Sequence, residues 1–174
     1  QSNSSIKLFL AQLEWEAMDE SQTARASDLS NYAVSLEQAA DIIARLILRV
    51  ADQLVERRLT FSEEGWAELI DLHARVLSNL QLALNVLISE DLESARQLVA
   101  ETDAVGVMER QSMGGHFSRL RSGNTNSFET SELHLETVRS LRRINSLICG
   151  IAYSILSEHG ELLGSRLARR PAVG

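Results

Sequence analysis

Two pairs of side chains in this sequence have the types and the spacing needed to bind an ion. Glu37 and Asp41 are four residues apart, so on a helix both carboxylates lie on one face, and oxygen ligands of this kind suit hard cations or iron. His116 and His134 each lie nine residues from Thr125. If a turn is centred at Thr125, antiparallel helices bring the two imidazoles to one level, where they could share a metal or an anion.

Both pairs also have a structural interpretation. The carboxylates can form a solvated or salt-bridged acidic face, and the histidines can hydrogen-bond neighbours at the end of a helical bundle. A metal needs more ligands than two imidazoles, and the cation Arg119 lies one helical turn after His116. By the same turn count Glu109 lies level with Arg142 and Arg143. We expect a partly buried ion pair of Glu109 with one of these arginines, which sets helix register rather than catalysing a reaction.

Enzymatic signatures are missing from the sequence. It has no Gly-x-Ser-x-Gly or Ser-His-Asp arrangement and no glycine-rich phosphate loop. A helical-bundle metalloenzyme that uses His116, His134 and carboxylates is the functional hypothesis with the least support, because no helix carries Glu-x-x-His. Cys149 is the only cysteine, which excludes disulfides and thiolate metal sites within one chain. We therefore expect no enzyme and no resident cofactor, with Glu37 and Asp41 as the candidate ligands for a metal ion.

Charge and hydropathy limit the partners. The formal net charge is −7, and the one basic run, residues 166–170, is short, so we expect no nucleic-acid partner. No run of 18 apolar residues is present that would span a membrane. We therefore expect that the chain as given does not span a membrane.

The elements that position these residues are predicted to be helices throughout. A single proline, Pro171, permits long helices, and the apolar periodicity predicts an all-α antiparallel up-and-down bundle. Predicted helices cover residues 5–25, 29–58, 62–88, 90–121, 129–158 and 161–167, with a loop at 122–127. Ser62 and Ser89 are predicted N-caps, and Gly114-Gly115 predicts a kink or a close helix contact. We divide the chain into a candidate cloning remnant (1–3), an N-terminal helix (4–27), the bundle (28–168) and a tail (169–174).

A set of aliphatic residues at spacings of three and four is predicted to form the core. The set comprises Leu36, Ile43, Ile47, Leu77, Leu80, Leu84, Val99, Ile144, Ile148 and Ile151.

Five short strings resemble one known family. They are Phe61-Ser-Glu-Glu-Gly65, His116-x-x-Arg-Leu120, Ser131-x-Leu-His-Leu135, Leu141-Arg-Arg-Ile-Asn-Ser146 and Gly160-x-Leu-x-x-Ser-Arg166. Together they resemble PhoU-like domains at the C-terminal end of bacterial sodium/phosphate cotransporters. The resemblance covers roughly residues 28–167. It implies one full three-helix repeat preceded by the end of another, to which residues 29–58 would belong.

The resemblance also implies a function. It predicts a cytoplasmic regulatory or interaction domain of a sodium-dependent phosphate cotransporter, at the inner membrane, with a membrane domain of the same polypeptide preceding residue 1. The alternative is a free-standing PhoU-type regulator of phosphate uptake signalling. PhoU-like proteins can hold metal clusters on acidic pairs, but Arg142 and Ser146 stand where the second copy of Glu37 and Asp41 would be, so we expect no multinuclear cluster.

A homodimer is expected on physical grounds. The first predicted helix has apolar residues at its start, and a lone amphipathic helix of about 20 residues is marginal in water. It must bury that face on the bundle, on a second copy of the chain or on a membrane-proximal region outside this sequence. With that region absent, we expect one of the first two and favour a homodimer over a monomer.

Overall fold

The computed structural model describes residues 19–163 and 166–167, and it confirms the all-α fold class. Helix α1 spans Glu20–Ala51 and continues into a π-helical turn, Asp52–Glu56. The remaining helices are α2 (Glu63–Ser89), α3 (Leu92–Arg121), α4 (Thr125–Glu129), α5 (Ser131–Ile148) and α6 (Gly150–Glu158). A two-residue antiparallel pairing of β1 (Leu162–Leu163) with β2 (Arg166–Leu167) replaces the helix predicted at 161–167.

Helix α5 lies at the centre of the bundle and packs against α1, α2 and α3, whereas α1 and α2 make little contact with each other. Asn79 and Asn145 meet through a buried amide hydrogen bond of 2.8 Å. Eleven residues earlier on each helix, Glu68 lies 3.5 Å from His134, so α2 runs parallel to α5. The hydroxyl of Tyr32 donates to the carbonyl of Ile148 at 2.9 Å, and Arg49 pairs with Glu132 near the other end of α5. Helix α1 therefore runs antiparallel to α5, as α3 does to α2.

The N-terminal boundary differs from the prediction because of a capping box. The Asp19 carboxylate accepts from the backbone N–H of Gln22 at 2.8 Å, and the Gln22 side chain accepts from the backbone N–H of Asp19. These bonds satisfy two amides that a helix start leaves free. One helix therefore begins at Glu20, and the predicted division at residues 25–29 is wrong. The rest of the predicted first helix lies outside the described residues.

Two further boundaries were also misplaced. Ser62 is the N-cap of α2 as predicted, but the N-cap of α3 is Asp91, whose carboxylate accepts from the backbone N–H of Ser94 at 2.8 Å. Ser89 instead belongs to α2, which closes at Glu90 in a left-handed conformation (φ 53°). The helix predicted at 129–158 is divided at Cys149, and α4 begins within the predicted loop and extends two residues past it.

The core prediction was right for α3, α5 and α6 and wrong in part for α1 and α2. Val99, Ile144, Ile148 and Ile151 are buried, and Leu36 and Leu80 are partly buried against the core. Four predicted core residues are exposed: Ile43, Ile47, Leu77 and Leu84.

The error has a simple geometric form. The buried positions on α2 follow one another at spacings of four and three: Gly65, Leu69, Leu72, Val76, Asn79, Ala83 and Val86. The predicted core residues of this helix, Leu77, Leu80 and Leu84, each come directly after one of them. Both sets have spacings of three and four, so periodicity cannot separate them. The stripe that packs contains the small residues Gly65 and Ala83, which let helices approach closely, since the distance between helix axes depends on the side chains at the contact. No helix in the described residues is long and apolar enough to cross a membrane.

Candidate functional site

Several buried or partly buried polar side chains meet at the end of the bundle where α2 and α5 begin and α3 ends. We call Glu68, Ser112, His116, Arg119 and His134 the histidine cluster. Helix α2 contributes the carboxylate, α3 the serine, one histidine and the arginine, and α5 the second histidine. Two of the family-like strings supply cluster residues, since one contains His116 and Arg119 and another contains His134. The string that begins at Phe61 lies beside them, because a Cβ on its Gly65 would be 3.4 Å from Arg119 Nη2 and 3.5 Å from His134 Nδ1.

The two histidine rings lie against each other in this cluster. His116 and His134 stack with ring centroids 4.8 Å apart and planes within 11° of parallel, and both side chains are almost fully buried. His116 Nε2 is 2.8 Å from Ser131 Oγ, and His134 Nε2 is 3.1 Å from Ser112 Oγ. The turn count from Thr125 thus placed the rings at the same level, and their contacts are with hydroxyls of the bundle.

An ion pair closes the cluster on the α2 side. Arg119 donates two hydrogen bonds to Glu68, from Nη1 to Oε1 at 2.6 Å and from Nη2 to Oε2 at 3.0 Å. Ser112 Oγ donates to Glu68 Oε2 at 2.7 Å. Because the Ser112 proton is directed to Glu68, Ser112 Oγ is left to accept from His134, which places a proton on His134 Nε2.

Two glycines make room for this ion pair. A Cβ on Gly115 would lie 2.7 Å from Glu68 Oε1 and 3.2 Å from Arg119 Nη1, and one on Gly65 would lie 2.9 Å from Ser62 Oγ. Ser62 also accepts from Ser127 Oγ at 3.1 Å, which ties the start of α2 to α4. The close helix contact predicted at Gly114-Gly115 is therefore real and is at Gly115, whereas Gly114 has open space.

The cluster keeps its histidines neutral. The pKa of His134 is lowered to about 4, chiefly by burial and then by neighbouring His116, although Glu68 acts in the opposite direction. Burial and Arg119 lower the pKa of His116 as well. His116 Nδ1 is buried without a hydrogen-bond partner in residues 19–163, so a proton added there would have no acceptor. Burial would raise the pKa of Glu68, but hydrogen bonds from Arg119 and Ser112 outweigh it and hold that pKa below its ordinary value.

The arrangement resembles a Ser-His-Glu triad in composition only. In such a triad the serine and the carboxylate contact opposite ring nitrogens of the histidine. Here Glu68 Oε2 lies 3.5 Å from His134 Nε2, the same nitrogen that faces Ser112, and Ser112 is itself buried. The carboxylate therefore cannot orient His134 as a general base for this serine.

The sequence did not single out Glu68 or Ser112. Both lie one or two turns from residues that it did mark: Glu68 follows Gly65 by three residues, and Ser112 precedes His116 by four. A search for polar residues three or four positions from Gly65 and His116 would have found both Glu68 and Ser112, because such residues share a helix face.

Glu109, Arg142 and Arg143 were expected to form an ion pair in one of two combinations. Arg142 Nε lies 3.6 Å from Glu109 Oε2, so this arginine faces α3. Arg143 faces the other way and lines a groove between α1 and α5. Adjacent residues on a helix point about 100° apart, which separates the two side chains.

We call the groove between α1 and α5, lined by Arg45, Arg49, Arg139 and Arg143 with Glu132 and Glu136, the arginine groove. Its volume is about 540 Å³. Arg49 pairs with both carboxylates, at 2.5 Å to Glu132 and 2.6 Å to Glu136. None of the other three arginines has an ion pair among the described residues, so the groove carries an excess of positive charge in a chain of net charge −7.

Glu37 and Asp41 lie on the exposed surface of α1, away from the histidine cluster. In the described part of the chain no three His, Cys, Asp or Glu side chains are grouped so that they could hold a metal ion. The two carboxylates stay a sequence-based prediction.

Comparison with known proteins relates the chain to longer proteins. It is 40% identical over 153 residues to a Salmonella typhimurium protein named "Putative inorganic phosphate export protein YjbB", which covers 88% of this chain and 28% of that protein. Proteins of the same name from Escherichia coli K12 and Shigella flexneri are 38% identical over 156 residues, or 90% of this chain and 29% of theirs. No protein-family model and no solved structure matches the chain. The chain is therefore similar, over most of its length, to a region that makes up less than a third of these proteins.

Proposed function

We propose that the chain is a regulatory or interaction domain of a phosphate transport protein, and that it is not an enzyme. The observation that carries the proposal is the similarity to proteins named for phosphate export, of which the chain spans less than a third. The segments that cross the membrane would then lie in the rest of such a protein. The domain would act on the cytoplasmic side of the inner membrane, next to a membrane domain of the same polypeptide.

The finer assignment is to the PhoU-like domain of a sodium-dependent cotransporter. The family-like strings support it, because two of them supply residues of the histidine cluster, a third lies beside it and a fourth supplies Asn145, which bonds Asn79 across the core. A domain that biases a transporter has to hold its own shape while its surface engages other regions. The cluster serves the first need. Charge-assisted bonds join α2 to α3, and hydrogen bonds of the two histidines join α3 to α5.

A non-catalytic role is supported by the chemistry of the cluster. Its charges balance within the Glu68–Arg119 pair, its serine is buried, and its histidines are neutral at physiological pH because their pKa values are lowered. Nothing in that arrangement presents an activated nucleophile to a substrate.

The test is phosphate flux in cells that express the full-length parent protein. We would compare the intact protein with one lacking the residues that correspond to this chain, in sodium and in choline medium, and check membrane abundance of both. We expect deletion to change flux several-fold at equal abundance, and sodium removal to reduce flux in the intact protein. Unchanged flux on deletion would contradict the regulatory role. Phosphate flux that does not depend on sodium would reject only the assignment to a sodium-dependent cotransporter. A parent gene that encodes no membrane-spanning segments would favour the free-standing regulator.

A further inference from the structure

We propose that the arginine groove is a binding site for a phosphate oxyanion. The inference rests on the proposed function for its biological meaning and on the groove itself for its chemistry. Two helices contribute cations to one concave surface: Arg45 comes from α1, and Arg139 and Arg143 come from α5. Their convergence on one groove depends on the packing of α1 against α5 and is not visible in the sequence.

Charge is the first argument. Arg49 already pairs with Glu132 and Glu136, which leaves three guanidinium groups along the same groove without an ion pair in the described structure. Like charges that line one groove repel one another, and a bound anion offsets that repulsion. Arginine presents a planar fork of N–H donors that matches two phosphate oxygens, so arginines are over-represented where phosphate is bound.

The remaining lining suits a small tetrahedral anion. Ser140 lies on α5 between Arg139 and Arg143 and offers a hydroxyl donor, and Ile42 and Leu46 of α1 form an apolar wall that lowers the local dielectric. Glu136 places a carboxylate beside the arginines. A carboxylate can accept a hydrogen bond from the protonated oxygen of hydrogen phosphate, whereas sulfate has no proton to donate at neutral pH.

The same chemistry would recognise free phosphate or the headgroup of an anionic phospholipid. Calorimetric titration of the purified chain with inorganic phosphate, and with sulfate at equal ionic strength, tests the first source. Sedimentation with vesicles containing phosphatidylglycerol tests the second. Neither measurement depends on transport, so failure of this site and failure of the proposed function can be told apart.

The decisive variant is the double change Arg139→Gln and Arg143→Gln. We expect at least about tenfold weaker phosphate binding, since one hydrogen-bonded charged contact is commonly equivalent to a factor of this size. Arg110→Gln is the matched control, because Arg110 is an exposed arginine on α3 outside the groove. Arg143→Lys keeps the charge and loses the fork, and should show an intermediate loss.

Each outcome decides something. Binding of phosphate that the double variant loses and the control keeps supports free phosphate, and vesicle binding with the same pattern assigns the site to a headgroup. Equal affinity of the double variant and the wild type overturns the site, as does a wild type that binds neither probe. Sulfate bound as tightly as phosphate would overturn the role given to Glu136. Circular dichroism of each variant confirms that the bundle is folded.

An independent observation on α2 carries a second proposal, an interface with a second copy of the chain. Five large apolar side chains are exposed on this helix, from 42% for Leu84 to 83% for Ile88. The five are Trp66, Ile70, Leu77, Leu84 and Ile88. Trp66 and Ile70 precede Leu77 by eleven and seven residues, and Leu84 and Ile88 follow it by seven and eleven. Separations of seven and eleven both return to the same face of a helix.

The symmetry of these positions identifies the partner. A two-fold axis through Leu77 brings two α2 helices together antiparallel, with Trp66 against Ile88 of the second copy and Ile70 against its Leu84. Such an isologous contact uses one surface twice, as closed dimers do. The residues from Val76 to Ser89 include no charged side chain, so no two like charges lie opposite each other between Trp66 and Ile88 of this contact.

The area is adequate for a dimer. The exposed parts of the five side chains amount to roughly 500 Å² per copy, judged from the size of such side chains, so pairing would bury about 1,000 Å² before flanking residues are counted. That is the lower limit expected of a biological interface.

Sedimentation velocity over a range of concentrations tests this interface. We expect a dimer for the wild type and a monomer for Leu77→Glu, which would place two like charges together on the axis. Leu77→Cys should form a disulfide-linked dimer under oxidation, whereas Ile47→Cys, an exposed position on α1, should not. A wild type that stays monomeric at high micromolar concentration overturns the interface, as does a dimer unaffected by Leu77→Glu.

Discussion

The histidine cluster and the arginine groove are built from the same kinds of residue but differ in charge balance and burial. In the cluster one arginine faces one glutamate, and the other members are hydroxyls and neutral imidazoles. In the groove four arginines share two glutamates and remain open to solvent. Desolvation explains the difference. A charge removed from water must be paired, whereas a charge at the surface is solvated and needs no partner within the protein.

Breaking the ion pair of the cluster should have the largest effect. Arg119→Met leaves Glu68 without its two charge-assisted bonds. Breaking a buried pair costs about 3–5 kcal/mol, and since Glu68 keeps 27% of its side chain exposed, we expect about 2–4 kcal/mol here. Urea denaturation measures the loss. Arg121→Met, an exposed change on the same helix, should stay within about 0.5 kcal/mol, and equal losses for both variants would contradict the comparison.

The second-largest effect should be a loss of folding stability at acidic pH, caused by the histidine cluster. His134 has a pKa of about 4 in the folded state and an ordinary value near 6.5 when unfolded. Between pH 4 and 6.5 this histidine is protonated in the unfolded chain but neutral in the folded chain. Its contribution to stability is therefore complete above pH 6.5 and is lost as the pH drops toward 4. The loss from this histidine should be about 2–3 kcal/mol. Its sign is the same for His116 and for Glu68, whose pKa values are also lowered.

Denaturation at a series of pH values in His134→Gln checks this assignment. The variant should be less stable at pH 7 and show a shallower slope between pH 4 and 6.5. A slope unchanged from that of the wild type would show that another group is responsible. His73→Gln, at an exposed site on α2, is the control.

The two adjacent glycines of α3 provide a sharper and smaller test of packing. Gly115→Ala places a methyl group 2.7 Å from Glu68 Oε1, and we expect a cost of about 1–2 kcal/mol despite the better helix propensity of alanine. Gly114→Ala meets nothing within 4 Å and should stabilise the chain by up to about 1 kcal/mol. Thermal unfolding of the two variants should therefore shift in opposite directions. Shifts of the same sign would contradict the close contact.

The smallest effect on stability is expected in the groove. Arg143→Gln removes a solvent-exposed charge and should change the unfolding free energy by less than about 0.5 kcal/mol. Adding phosphate should raise the melting temperature of the wild type more than that of the variant, because a ligand that binds only the folded state stabilises it. A large loss of stability without ligand would show that Arg143 is part of the packing rather than of an open site.

Much of the fold followed from the sequence. Apolar periodicity and the near absence of proline predicted the all-α class, Ser62 was found as a cap, and the turn count from Thr125 placed His116 level with His134. These features depend on local geometry, which repeats every few residues and is written in the spacing of residue types.

Choices between equivalent local patterns were decided only by the tertiary structure. On α2 two apolar stripes one residue apart fit the same spacing, and packing buried the one with Gly65 and Ala83. Arg142 turned toward Glu109 and Arg143 toward α1, although the sequence treated them alike. Glu68 joined the histidines because Gly115, 47 residues later, leaves space for it. A sequence pattern sets which faces a helix has, but which face meets a neighbour depends on the fit between helices that are far apart in the chain.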